Sequence, residues 1–169
     1  MTDTVLTTTV AGPLGELALL VHDDVLVAAG FGTPEEQYDR LRTSATLRRA
    51  NDLGPFSAAL AAYFDGDVRA MDTLPVWQPG GAFRQAAWKL MREVAPGETI
   101  TYAELAARAG SPLAARAVGS ACAQNLIAPV VPCHRIVRGA DAPAARRLGG
   151  YAYGLSRKEW LLAHEQRCA

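Results

Sequence analysis

The hydrophobic pattern changes period once along this chain, at "PVWQPGG", residues 75–81. Before it, apolar residues come in short runs cut by turn signals: "DTVLTTTV" and "ELALLVH" flank "AGPLG", and "VLVAAGF" follows Asp23–Asp24. After it, Phe83, Ala86, Ala87, Leu90, Met91 and Val94 recur at helical spacing. A single switch at a Pro/Gly-rich stretch excludes both a uniform sheet and a uniform bundle. The expectation is an α/β (α+β) chain: a small N-terminal β-sheet domain with helices over 1–78, then a mainly helical domain over 79–169.

Within the first part, "PEEQYDRLRTSA" and "PFSAALAAYFDG" read as short helices and "VRAMDTL" as a strand. In the second, Thr101 and Glu104 form a capping box that opens a helix ending at Gly110. Ser111 and Pro112 then have the N-cap and first-turn roles of another helix. Two short helices joined by a Gly-containing turn make a helix-turn-helix candidate. On the second of them, Ala114, Ala117, Val118 and Ala121 share the face expected to pack inward. Arg116, Gly119, Ser120 and Ala123 share the opposite face. One arginine among tiny residues suits close approach to another surface, or burial between two layers. Ser156 and Glu159 predict a second capping box, with Leu155 stapled against Trp160, at the start of the last helix.

Charge is asymmetric although the net is zero: residues 1–80 carry 5 Lys+Arg against 11 Asp+Glu, and residues 81–169 carry 12 against 6. A basic half can face a polyanion while the other stays acidic. No run approaches the length of a membrane span, and "MTDTVLTTTV" lacks a signal-peptide pattern, so a cytoplasmic protein without membrane association is expected. Three cysteines without repeat spacing argue against a disulfide framework. Cys122, Cys133 and Cys168 with His22, His134 and His164 complete no zinc pattern, and no metal is expected.

The segment "APVVPCHRIV" sets Cys133 beside His134 and Arg135 behind an apolar run. A thiol has a pKa of ~8.5, and a base or cation nearby raises the nucleophilic thiolate fraction. In an extended strand, adjacent side chains point to opposite faces. His134 can therefore reach the sulfur only if the backbone bends or a water relays the proton. Glu165 on the last helix is the candidate carboxylate to orient the imidazole. The bland alternative is an inert core cysteine, the commoner fate of this residue type.

"PCHRIV", preceded by "AARAVGSACAQN", resembles the O6-alkylguanine-DNA alkyltransferase family, also called methylated-DNA–protein-cysteine methyltransferases. The resemblance runs from "GAFRQAAWKLMREVAPGETITYAELAARAG" to "YGLSRKEWLLAHE" and extends more loosely to "GPLGELALL" and "LAAYFDGD". It implies that the helix-turn-helix is winged-helix-like and enters the minor groove of double-stranded DNA containing O6-alkylguanine. Cys133 then matches the alkyl acceptor, His134 the histidine that takes its proton through a water, and Glu165 the carboxylate holding that histidine. Asn125 matches the brace between recognition helix and active-site segment, and Tyr102 the tyrosine that rotates the nucleotide and protonates the leaving guanine. Arg116 matches the finger that fills the vacated duplex, with Ala115, Gly119, Ser120 and Ala123 as the close-approach surface. Tyr151, Ala152, Ile136 and Cys122 match the base pocket. The resemblance implies no cofactor and a monomer without an obligate protein partner. A lesion-recognition module without chemistry lacks the acceptor cysteine, and a cysteine hydrolase leaves the small-residue helix face unexplained.

This chain departs from the family pattern in places. "RGADAPAARRLGGY" is longer than the usual loop by about five residues, judged by the family pattern itself, and adds Arg146 and Arg147 beside the pocket. The extension either widens access or adds phosphate contacts. Leu126 stands where proline is common after the asparagine, Ala152 replaces a small polar residue, and Tyr153 occupies a variable position.

Overall fold

The computed structural model describes residues 3–169; Met1 and Thr2, with which the expected N-terminal domain begins, lie outside it. The chain divides into two units. One runs to Gln78 and takes back Leu126–Val130; the other comprises Pro79–Asn125 and Val131–Ala169. The class is mixed α/β, with a sheet in the first unit and most of the helices in the second.

The first unit is built on consecutive antiparallel strands β1 (Thr4–Gly12), β2 (Gly15–His22) and β3 (Val25–Phe31). Asp23 and Asp24 make the β2–β3 turn, both left-handed at φ 49° and 60°. A two-residue hairpin requires that conformation, and aspartate tolerates it. The apolar run of β2 is buried throughout from Leu17 to Val21. Ala18 and Leu20 join Val5, Ala28 and Ala45 in a cluster closed by Tyr38 and Leu41 of α1 (Pro34–Leu41). Helix α2 (Pro55–Phe64) buries Phe56, Leu60 and Tyr63.

Two features differ from the sequence-based expectation. A fourth strand, β4 (Thr46–Arg49), pairs in parallel with β1 and gives the order β3-β2-β1-β4. Its "TLRR" is short and charged, as suits an edge, and so carries no apolar alternation. The expected strand "VRAMDTL" is instead a run of tight turns, with Ala70 N–H bonded to the Asp67 carbonyl (3.0 Å) and Asp72 N–H to that of Arg69 (3.0 Å). Val68, Met71 and Leu74 are buried, a spacing of three that matches successive turns and not the period of two of a strand.

The "PVWQPGG" stretch is stitched to β3 in its first half: Leu26 N–H donates to the Pro75 carbonyl (2.9 Å) and Trp77 N–H to that of Leu26 (3.1 Å). The returning segment joins the same strand, with Ala29 N–H on the Leu126 carbonyl (2.8 Å). The Gln78 side chain accepts the Leu126 N–H at 2.7 Å.

In the second unit, α3 (Ala82–Glu93) turns Ala87, Trp88 and Met91 inward, and the Trp88 indole donates to the Ala121 carbonyl at 2.9 Å. A two-residue pair, β5 (Ile100–Thr101) with β6 (Ile136–Val137), is parallel. Helix α4 (Tyr102–Arg108) opens on the expected Thr101/Glu104 capping box, with bonds of 3.1 and 2.9 Å.

Helix α5 (Ala115–Ala123) begins later than Ser111–Pro112 suggests. Ser111 to Ala114 form a separate turn, closed by Ala114 N–H on the Ser111 carbonyl (2.9 Å), and no side chain caps α5. Val118 and Ala121 are buried as expected, but Ala117 is exposed along with Arg116, Ser120 and Ala123. Helix α6 (Leu155–Cys168) starts one residue before Ser156, so the second capping box does not form. Gly154, at φ 94°, is the N-cap, and the 43% exposed Leu155 is the first helical residue, not a staple.

Candidate active site

The nucleophile candidate sits in a bend. Cys133, His134 and Arg135 form a single 3-10 turn ahead of β6, and all three are buried. Of the two alternatives the sequence left open, a bent backbone and a water relay, the bend is present at these residues. The turn is fastened from two helices. His134 Nε2 lies 2.8 Å from Glu165 Oε1 on α6. Arg135 grips the same carboxylate with two nitrogens, Nε at 3.0 Å and Nη2 at 2.8 Å, while its Nη1 donates to the Val94 carbonyl after α3 at 2.7 Å. Arg135 therefore neutralises Glu165, where the sequence offered it as a cation for the thiol.

Burial would raise Glu165, but the His134 and Arg135 partners outweigh it and hold the carboxyl well below its ordinary value. Burial pushes His134 below its ordinary value, with Glu165 offsetting only part of that, so the ring is neutral at pH 7. Its Nδ1 is buried and without a hydrogen-bond partner; the Tyr151 hydroxyl is the other such side-chain atom among the described residues. Unpaired buried polar atoms cost stability and are rare, so two at one place make it a candidate site.

A cavity of about 680 Å³ opens beside the turn. Cys133, Tyr102, Arg116, Cys122, Tyr151 and Ala152 line it, as do Ala115, Gly119 and Ala123 of α5. Asn125 is buried and donates to the Val131 carbonyl (2.8 Å) and towards Cys133 Sγ (3.4 Å), with Leu126 following it in the place of proline. Arg116 is exposed at the cavity edge, with no partner for its guanidinium among the described residues. A Cβ at Gly119 would meet only open space. The Tyr151 ring stands edge-on to His134, with centroids 6.5 Å apart.

One residue expected in the base pocket lies elsewhere: Ile136 is not on the cavity wall but fully buried in β6, opposite Ile100. Ser120 is exposed on the outward side of α5 with Arg116 and Ala123, and accepts a 2.8 Å bond from Gln124. The long loop closes on itself before the pocket, since the Arg147 carbonyl accepts from Arg138 N–H (2.9 Å) and Gly139 N–H (3.2 Å). Tyr151 stands on the cavity wall after it.

Burial raises Tyr102 to about 12, with Cys122 and Cys133 adding to the shift, so it stays protonated at neutral pH. Gly149 sits against it at φ 72°, where a Cβ would come within 2.6 Å of the hydroxyl. One residue at the site had no signal in the sequence. Lys158 is fully buried, and its ammonium donates to the Ile136 carbonyl (2.7 Å) and the Gly150 carbonyl (3.1 Å). Burial lowers it to about 8. On an ordinary helix its first-turn position would be exposed. No group of three or more His, Cys, Asp or Glu among the described residues could hold a metal ion.

Residues 82–167 match the family described as 6-O-methylguanine DNA methyltransferase, DNA binding domain. The methylated-DNA–protein-cysteine methyltransferase of Salmonella typhimurium is 37% identical over 166 residues, covering 92% of both chains. The human protein of that name is 38% identical over 170 residues, 94% of this chain and 79% of that one. The Mycobacterium tuberculosis OGT, solved in complex with DNA, superposes with a TM-score of 0.77 at 32% identity over 98% of this chain and 95% of that one. The chain belongs to the methylated-DNA–protein-cysteine methyltransferase family.

Proposed function

We propose that this protein repairs DNA by direct reversal, moving an alkyl group, methyl in the simplest case, from O6 of guanine to Cys133 Sγ. The observation that carries the reading is the placing of Cys133 on a cavity wall beside a His134–Glu165 pair whose outer nitrogen has no partner. Neutral His134 accepts the thiol proton at Nδ1, through a water. The sulfur attacks the alkyl carbon, the C–O6 bond breaks, and the electron pair leaves with the guanine. Tyr102, held protonated by burial, supplies the proton that neutralises the leaving base. The thiol proton taken up by His134 restores Tyr102 through water, so that both side chains end neutral. The product is a thioether, which offers water no carbonyl to attack, so each molecule reacts once.

An O6-alkyl group lies within the stack, and the nucleotide must swing out at a cost of about a few kcal/mol. Helix α4, the turn and α5 act as a helix-turn-helix, and the small outward residues of α5 allow its backbone close to the groove. Arg116 fills the vacancy and offsets part of the cost. The protein acts as a monomer on double-stranded DNA, in the cytoplasm, where a sacrificial thiol stays reduced. The test is intact-protein mass after exposure to O6-methylguanine DNA. One added methyl unit on Cys133, absent in Cys133→Ser, is expected. An unchanged mass, or methyl on Cys168, overturns the reading.

A further inference from the structure

A second cavity of about 330 Å³ adjoins the first, lined by Arg138, Ala145, Arg146, Gly149, Gly150 and Leu155. Arg138, Gly149 and Gly150 line both, so the two spaces share one lip. The smaller cavity carries two guanidinium groups and no acidic side chain. Neither guanidinium has an ion-pair or hydrogen-bond partner among the described residues. Arg147 behaves differently: its Nε donates to the Ala142 carbonyl at 3.3 Å, and its own carbonyl closes the loop. Arg146 is held at the end of a 3-10 turn (Ala144–Arg146), with its N–H on the Pro143 carbonyl at 2.7 Å. Two like charges turned towards one hollow without a counter-charge repel each other, and an anion relieves that repulsion.

We propose that this cavity is a phosphodiester seat, in which Arg138 and Arg146 hold one backbone phosphate of the DNA strand whose nucleotide has entered the larger cavity. The inference rests on the base-extrusion reading above. A nucleotide brings its phosphates with it, a few bonds from the base, so they must lie at the mouth of the space that takes the base. The shared lip is that mouth, and Gly150 there, where a Cβ would meet only open space, leaves room for a sugar-phosphate backbone. Guanidinium donors match phosphate oxygens in planar pairs, which ammonium groups do not. Arg146 lies in the stretch 138–151 that the resemblance reads as longer than the family pattern.

The test is a thermodynamic cycle on binding, in a Cys133→Ser background so that no reaction consumes the protein. The probes are an O6-methylguanine duplex and two copies with a neutral methylphosphonate at the phosphate on one or the other side of the lesion. Arg146→Ala should weaken binding to the normal duplex about tenfold, the fold-change of one charge-assisted hydrogen bond. On one of the methylphosphonate duplexes it should cost almost nothing further. Arg147→Ala should show no such coupling. Circular dichroism melts confirm that each variant is folded. An equal loss on all three duplexes, or no loss on any, overturns the seat. Failure of the unmutated protein to take up alkyl from the lesion overturns the functional reading instead.

Discussion

Arg135 closes two of its nitrogens on Glu165, the carboxylate that also holds His134. All three side chains are buried, and the pair fixes the 3-10 turn that carries Cys133 against α6. Arg135→Leu removes the guanidinium from a buried carboxylate. Unfolding stability should fall by about 3–5 kcal/mol, the usual result of removing one partner of a buried pair. Urea denaturation measures it, and a loss below about 1 kcal/mol would mean that the pair does not hold the turn.

Stability should fall as pH drops below neutrality, in two stages. His134 and Glu165 both have folded values below their ordinary ones of 6.5 and 4.5. The unfolded chain therefore binds more protons at acid pH, and the contribution of each group is present above its unfolded value and lost below it. The first decline begins near the ordinary histidine value, the second near the ordinary carboxylate value. His134→Gln should abolish the first and keep the second. A denaturation midpoint flat from pH 7 to 5 in the unmutated protein would contradict the histidine assignment.

Lys158→Met should loosen the pocket wall. The substitution keeps the length but leaves the Ile136 and Gly150 carbonyls without their donor. An unpaired buried acceptor costs about 1–3 kcal/mol. Amide exchange should quicken at residues 149–152 before any other part of the second unit. Unchanged exchange there would show that the lysine merely fills space.

Arg116→Ala should slow repair in duplex DNA by about tenfold or more, since part of the few kcal/mol spent on extrusion is no longer offset. On O6-benzylguanine as a free base, with no stack to refill, the loss should be small. Equal losses on both substrates would remove the finger role.

Much of this was legible in the sequence, for identifiable reasons. The Thr101/Glu104 box and the β2–β3 turn at Asp23–Asp24 are local, and local chemistry decides them. Cys133, His134, Asn125 and Glu165 stand out through an ordered set of motifs. Other features depend on partners far along the chain. Arg135 meets Glu165 thirty residues away, and nothing near Arg135 announces that its charge is engaged. Lys158 occupies a helix position that is usually wet, and only the fold closes over it. Strand β4 is polar because it is an edge, and "VRAMDTL" has β-branched residues but a spacing of three. The starts of α5 and α6 also differ from the local signals: the Ser111–Ala114 segment closes as a turn of its own before α5, and α6 begins behind Gly154, at φ 94°, ahead of Ser156.

The return of Leu126–Val130 to the first unit has a bearing on how this molecule can be taken apart. Cutting at Gln78 would not yield two autonomous proteins. The downstream fragment would carry Ile127 and Ala128, 0% and 2% exposed in the intact chain, with their covering strand gone. That orphaned stretch lies between Asn125 and Cys133, so shortening the gene to its reactive half would leave a sticky, unsupported tether leading straight into the sulfur's own turn.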